Sequence, residues 1–182
     1  MKYISMSLLL VFVLLIIGCE SEKENTLNRE MQRRKNQVPN IGNMNNSNID
    51  PKDLKIMTTF TPEQKVIMDK VTAVIYKNLE ATQAEDVEAA LETLDRDGPQ
   101  LQSTKNAMEY VFEHYDMEYN LEDMRFLSVT NDEARVLYKQ TTKAVGGTGF
   151  TNSRSIGIHT VKKSKDGKWR IFKTEYLSTE PL

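Results

Sequence analysis

The 182 residues carry 24 Lys and Arg against 26 Asp and Glu, a formal net charge of −2. That near balance excludes the strongly basic surface of a nucleic-acid binder, so no nucleic-acid partner is expected. One cysteine and two histidines exclude a disulfide framework and a Cys/His metal cluster, and no metal or other cofactor is expected. At the start of the chain, Lys2 precedes an uncharged apolar run from Leu8 to Ile17 that ends at Gly18. Spanning a bilayer with room to tilt takes about 20 apolar residues. A basic start, a short apolar middle and a small residue before a cut site read instead as a secretory signal peptide over 1–18.

The stretch Ile16-Ile17-Gly18-Cys19 resembles the lipobox of bacterial lipoproteins. The resemblance implies cleavage before Cys19, a diacylglyceryl group on its sulfur and acylation of the new amino terminus with a fatty acid such as palmitate. Two or more acyl chains anchor stably, at about 0.8 kcal/mol per buried methylene. The expected location is the cell membrane, lipid-anchored and facing the extracytoplasmic side. No thiol remains downstream of Cys19.

Residues 20–35 are crowded with Glu, Lys and Arg, and residues 36–48 contain six asparagines. With no aromatics, such a segment buries too little apolar surface to offset the entropy of ordering. Residues 19–58 are therefore read as the lipidated cysteine and a flexible tether, spanning roughly 35 Å as a random coil. A short helix over 26–35, with Arg33, Arg34 and Lys35 against anionic headgroups, is the alternative.

The remaining stretch, 59–182, has the size of one domain. Thr61-Pro62-Glu63-Gln64 forms a capping box, and Ile67, Val71, Val74, Ile75 and Leu79 then recur at helical intervals. Thr82-Gln83-Ala84-Glu85 predicts the start of a second helix, with Val87, Ala90, Leu91 and Leu94 on one face. Ser103 predicts the start of a third, with Met108, Val111, Phe112 and Tyr115 inward. After Tyr115 the period becomes alternating. Strands are expected from Met117 to Val129 with an irregularity, from Ala134 to Val145, from Thr151 to Lys163 and from Lys168 to Leu177. Asp166-Gly167 is a strong hairpin signal. The fold class is α+β, three helices on a curved antiparallel meander of about four strands. Pairing straight across the hairpin puts Ile156, Ile158, Thr160, Trp169 and Ile171 on one face. His159, Val161, Phe172, Thr174 and Tyr176 fall on the other.

This order, with Asn78-Leu79-Glu80-Ala81-Thr82-Gln83-Ala84-Glu85-Asp86, Asp132-Glu133-Ala134-Arg135-Val136 and Asp166-Gly167-Lys168-Trp169-Arg170-Ile171, resembles the nuclear transport factor 2-like superfamily. That superfamily is also called SnoaL-like or cystatin-like. The resemblance covers roughly 60–178 and implies a cone with a pocket at its wide end. It also implies a function drawn from isomerases, dehydratases, cyclases and non-catalytic binding or dimerising modules, among which fold alone does not choose.

Enzymes of that superfamily often use Asp or His in the cone for proton transfer, and His159 is the residue of this chain expected there. Local spacing places no acid beside it, so no catalytic residue is assigned. His114 reads as a cation at a helix end. Asp95-Arg96-Asp97-Gly98 begins like a calcium loop, but Asn106 stands where a bidentate Glu belongs, so it reads as a turn. Gly146-Gly147-Thr148-Gly149 lacks nucleotide-binding spacing and reads as a hairpin loop.

The candidate ligand or partner surface comprises His159, Phe172, Tyr176 and the basic hairpin residues Lys162, Lys163, Lys165, Lys168 and Arg170. Residues 80–97 hold seven acids and one base, so self-association through opposite charges, giving a homodimer, is one expectation. The leading expectation is an envelope lipoprotein whose cone binds an unknown protein or small ligand without catalysis. The alternatives are a small isomerase or dehydratase using His159, and a structural dimerisation module with a large apolar outer face.

Overall fold

The computed structural model describes residues 49–182. The expected signal peptide, Cys19 and the tether up to residue 48 lie outside them. A 3₁₀ turn, Pro51–Asp53, is capped by Asp50, whose carboxylate accepts from Lys52 N at 2.9 Å. The following extended segment is held to the domain: Met57 N donates to Phe126 O at 2.9 Å, and Met57 and Phe60 pack against the main core.

Helix α1, Pro62–Gln83, starts as the capping box dictates, with Thr61 and Gln64 exchanging bonds of 3.2 and 3.0 Å. The second box does not form. Thr82 Oγ1 instead donates back to Asn78 O within α1 at 2.7 Å, so α1 runs on through Gln83. The chain then turns at Glu85 (φ 56°), and α2, Val87–Glu92, is capped by Asp86. Helix α3, Leu101–His114, begins two residues before Ser103, whose hydroxyl donates to Gln100 O at 3.0 Å. Among the described residues no helix is long and apolar enough to cross a membrane.

Strands β1 (Met117–Val129), β2 (Glu133–Ala144), β3 (Ser153–Lys163) and β4 (Trp169–Pro181) form the expected antiparallel meander in the order β1-β2-β3-β4. Irregularities interrupt β1 at Leu121/Asp123 and Phe126/Ser128, and the β3–β4 ladder at Ile156/Gly157 and Thr160/Val161. Such bulges bend strands and raise their twist. They also correct the expected faces. Thr160 opposes Lys173 while Val161 opposes Ile171, so Phe172 is an extra residue. Trp169 and Ile171 therefore share the inner face with Val161 and His159, not the outer face of Ile158 and Thr160.

The main core joins Val71 and Ile75 of α1 to Phe126, Val129, Val136, Val161, Trp169 and Ile171 of the sheet. A smaller cluster unites Ala81, Ala90 and Met108 between the helices. Both sheet edges carry a glutamine that stands in for a neighbouring strand. Gln83 donates to Met117 O (2.9 Å) and accepts from Tyr119 N (2.8 Å) on β1, and Gln100 donates to Thr174 O (2.9 Å) and accepts from Thr174 N (2.7 Å) on β4. Each amide satisfies one backbone pair that an edge otherwise leaves open. Gln100→Leu is expected to cost about 1–2 kcal/mol in urea unfolding and to speed hydrogen exchange at the Thr174 amide. Unchanged exchange there would contradict the role.

Gly167 adopts φ 80°, as the Asp-Gly turn requires. Arg170 grips Asp166 through two bonds of 2.8 and 2.7 Å and donates to Glu92 O, while Lys165 meets Asp97 at 3.1 Å. The basic hairpin thus meets acids and a carbonyl of the acidic segment within one chain.

Candidate functional site

Three helices laid on a bent sheet cannot fill its concave face, and a cavity of about 300 Å³ remains between them. Its helical side is apolar, formed by Ile75, Leu79, Met108, Val111 and Phe112. Its sheet side is polar, with Tyr119, Tyr138, Gln140, His159, Thr174 and Tyr176.

Gly157 organises that polar floor. It pairs with Tyr138 on one side and Tyr176 on the other. A Cβ at this position would lie 2.6 Å from the Tyr138 hydroxyl and 2.6 Å from Glu175 O, so the Tyr138 ring rests directly over the glycine. From there Tyr138 stacks on His159, with centroids 4.2 Å apart and planes inclined by 12°. His159 Nδ1 is 2.9 Å from Thr174 Oγ1, which leaves Nε2 as the nitrogen open to a ligand.

Protonation follows from burial. Desolvation pushes the His159 pKa down to about 4, so the ring is neutral at pH 7. Burial holds the phenols of Tyr119, Tyr138 and Tyr176 above their ordinary range, and Tyr138 and Tyr176 share a hydrogen bond. None of the described residues lining the cavity is Asp or Glu. Its one charged residue, Lys173, has its ammonium paired to Glu175 at 3.0 Å. The site therefore offers neutral donors and acceptors on one wall and hydrocarbon on the other.

Of the residues singled out from sequence, His159, Phe172 and Tyr176 come together in this cavity. The cations do not join them. Lys162 sits 4.0 Å over the Phe172 ring and 3.5 Å from Glu133, Lys165 and Arg170 are paired as described, and Lys163 and Lys168 make backbone bonds in the hairpin. His114 lies at the helix end, stacked on Tyr110 with Nδ1 2.7 Å from the Tyr110 carbonyl. The Asp95 carboxylate accepts from Asp97 N and Ser164 Oγ. Among the described residues no three His, Cys, Asp or Glu side chains converge as metal ligands. The outer sheet face carries an ion-pair group in which Glu122 meets Lys139 and Arg154, each at 3.0 Å.

Sequence reading missed Tyr119, Tyr138, Gln140 and Gly157. The available signal was the glycine itself, since Gly inside a strand marks a close approach of another group.

Residues 73–182 match the family described as anti-sigma-I factor RsgI9, C-terminal domain. The anti-sigma-I factor RsgI9 of Acetivibrio thermocellus is 31% identical over 102 residues, which are 56% of this chain and only 14% of that protein. A candidate scytalone dehydratase from Novosphingobium aromaticivorans superposes with a TM-score of 0.56 at 13% identity, covering 67% of this chain and 92% of its own. A candidate dehydratase of the nuclear transport factor 2-like family from Streptomyces avermitilis gives 0.51 at 16%, covering 67% and 99%. These structural likenesses establish the nuclear transport factor 2-like fold expected from the sequence.

Proposed function

The chain belongs to the family of the RsgI9 C-terminal domain, and from that premise we propose that it is a membrane-tethered binding module of a regulatory kind. Its cone takes a ligand or a protein partner and performs no chemistry. The observation that carries this reading is His159. A general acid or base works best with a pKa near the operating pH. His159 has been pushed to about 4, its Nδ1 faces a threonine hydroxyl, and no carboxylate lines the cavity to recharge it. Three protonated tyrosines and a neutral imidazole suit recognition better than proton transfer.

The anti-sigma name belongs to the relative, of which this chain spans 14%. With Cys19 lipidated and the domain outside the membrane, a cytoplasmic sigma factor is out of reach. The direct partner is then an extracytoplasmic molecule, and control of transcription passes through other components. Cys19→Ala is expected to block processing, leaving a larger species in gels. Unchanged mobility together with release from the membrane would contradict the anchor.

The reading is tested by pulling the protein from its own membrane and identifying co-purifying proteins and small molecules by mass spectrometry. Wild type is compared with Thr142→Trp, which fills the cavity from its wall. A species retained by wild type and lost from a correctly folded Thr142→Trp supports the cone as the binding site. Equal retention by both would move the site elsewhere.

The alternative of a small isomerase or dehydratase draws on the same cavity. It requires turnover that disappears in His159→Gln.

A further inference from the structure

The cavity's chemistry narrows what it can hold. Its volume of about 300 Å³ lies at the lower end of small-molecule sites. A charged ligand entering it would lose hydration and find no unpaired counter-charge, because Lys173 is already held by Glu175 and no acid lines the wall. An entirely apolar ligand would instead bury the hydroxyls of Tyr119, Tyr138 and Tyr176 without compensation.

Resting on the ligand-binding reading above, we infer that the cone takes an uncharged molecule with a flat apolar body and a carbonyl or hydroxyl head, the body against α3 and the head against the tyrosines and His159. The tyrosines form one connected polar surface: Tyr138 bonds Tyr176, and Tyr119 is close enough to Tyr176 to feel its charge state. With one phenol donating to its neighbour, the group still has hydroxyl hydrogens to give to a ligand oxygen. The wall opposite, Met108, Val111 and Phe112, supplies flat apolar contact without competing polar groups. Catalytic conversion is not needed for this recognition, and nothing in it requires His159 to change its charge.

Three matched probes separate the terms: 2-acetonaphthone with a neutral carbonyl, 2-naphthoate with a carboxylate, and naphthalene with no head. The full chain in detergent micelles is titrated, reading saturable quenching of Trp169, its single tryptophan. Partition into micelles adds only a linear background. 2-Acetonaphthone is expected to bind about tenfold more tightly than either of the others, the equivalent of one net hydrogen bond of about 1.4 kcal/mol. The double variant Tyr138→Phe/Tyr176→Phe should reduce acetonaphthone to the level of naphthalene and leave naphthalene unchanged. If that variant misfolds, Tyr119→Phe alone should still lower acetonaphthone binding. Naphthoate binding as tightly as acetonaphthone, or no saturable binding by any probe, would overturn the ligand class. A partner captured by wild type and lost from Thr142→Trp would in that case leave the binding-module reading standing.

Discussion

Gly157→Ala is expected to lower stability by about 2–3 kcal/mol and to abolish binding in the cone. The added Cβ meets the Tyr138 hydroxyl and a ring carbon at 2.6 and 2.7 Å, and Glu175 O at 2.6 Å. A flexible side chain could yield, but the carbonyl is part of the β4 backbone and the tyrosine is buried, with 4% of its surface exposed. One of them must move. If the sheet gives, the β3–β4 ladder opens beside its bulge, and if the ring gives, it leaves its stack on His159. Gly149→Ala is the matched comparison, because its φ of 91° strains any other residue while nothing lies within 4 Å. That change should cost about 1 kcal/mol and leave the cone intact. Urea midpoints with unchanged slopes measure both. Equal losses for the two variants would contradict the part assigned to Gly157.

The second large effect is a pH dependence that one histidine should dominate between pH 6.5 and 4. The ordinary His pKa of about 6.5 applies to the unfolded chain, whereas burial lowers the folded value to about 4. Across that window the unfolded state binds a proton that the native state refuses. Stability is therefore complete above the unfolded pKa and falls as pH drops through the window, levelling below about 4. The loss is up to about 3 kcal/mol. His159→Gln, which keeps a polar group beside Thr174, should flatten the profile there. Asp166, whose carboxyl is lowered first by its bonds to Arg170, and Glu122, lowered first by Lys139 and Arg154, act at still lower pH and should leave a residual acid transition. A profile equally steep in His159→Gln would remove the histidine from the account.

Local signals made the architecture legible. Thr61, Pro62 and Gln64 encode a helix start through bonds between residues three apart, and Asp166-Gly167 encodes its turn through backbone geometry alone. Both form as read. The reading failed where a long-range choice competed. Thr82 had two possible acceptor arrangements, and the uninterrupted α1 ladder favoured the bond to Asn78 O. The extra residue at Phe172 depends on how β4 meets β3, so alternation counted along the chain put Trp169 and Ile171 on the wrong face. The cavity shows the same division. His159 and Tyr176 were readable from pairing across one hairpin. Tyr138 comes from the neighbouring strand, and its place depends on a register set by the whole meander. Gln83 and Gln100 carry no local mark of their role, because an amide replaces a strand only once the sheet edge has arrived beside it.

The hairpin cations illustrate how a charge pattern can mislead. Complementary acidic and basic runs suggested two molecules meeting, yet Lys165 and Arg170 find Asp97 and Glu92 O in their own chain. Exposed pairs of this kind contribute little individually. Here they hold the hairpin against the acidic segment, leaving the cavity as the feature with chemistry of its own.

The most direct test of a binding cone that leaves its ligand unaltered is native mass spectrometry of the full chain taken from its own membrane in nanodiscs. The account predicts a discrete extra mass on wild type, absent from folded Thr142→Trp, and recovery of the same compound unchanged after prolonged incubation. A bound compound whose mass changes with time in wild type but not in His159→Gln would contradict it and make the protein an enzyme.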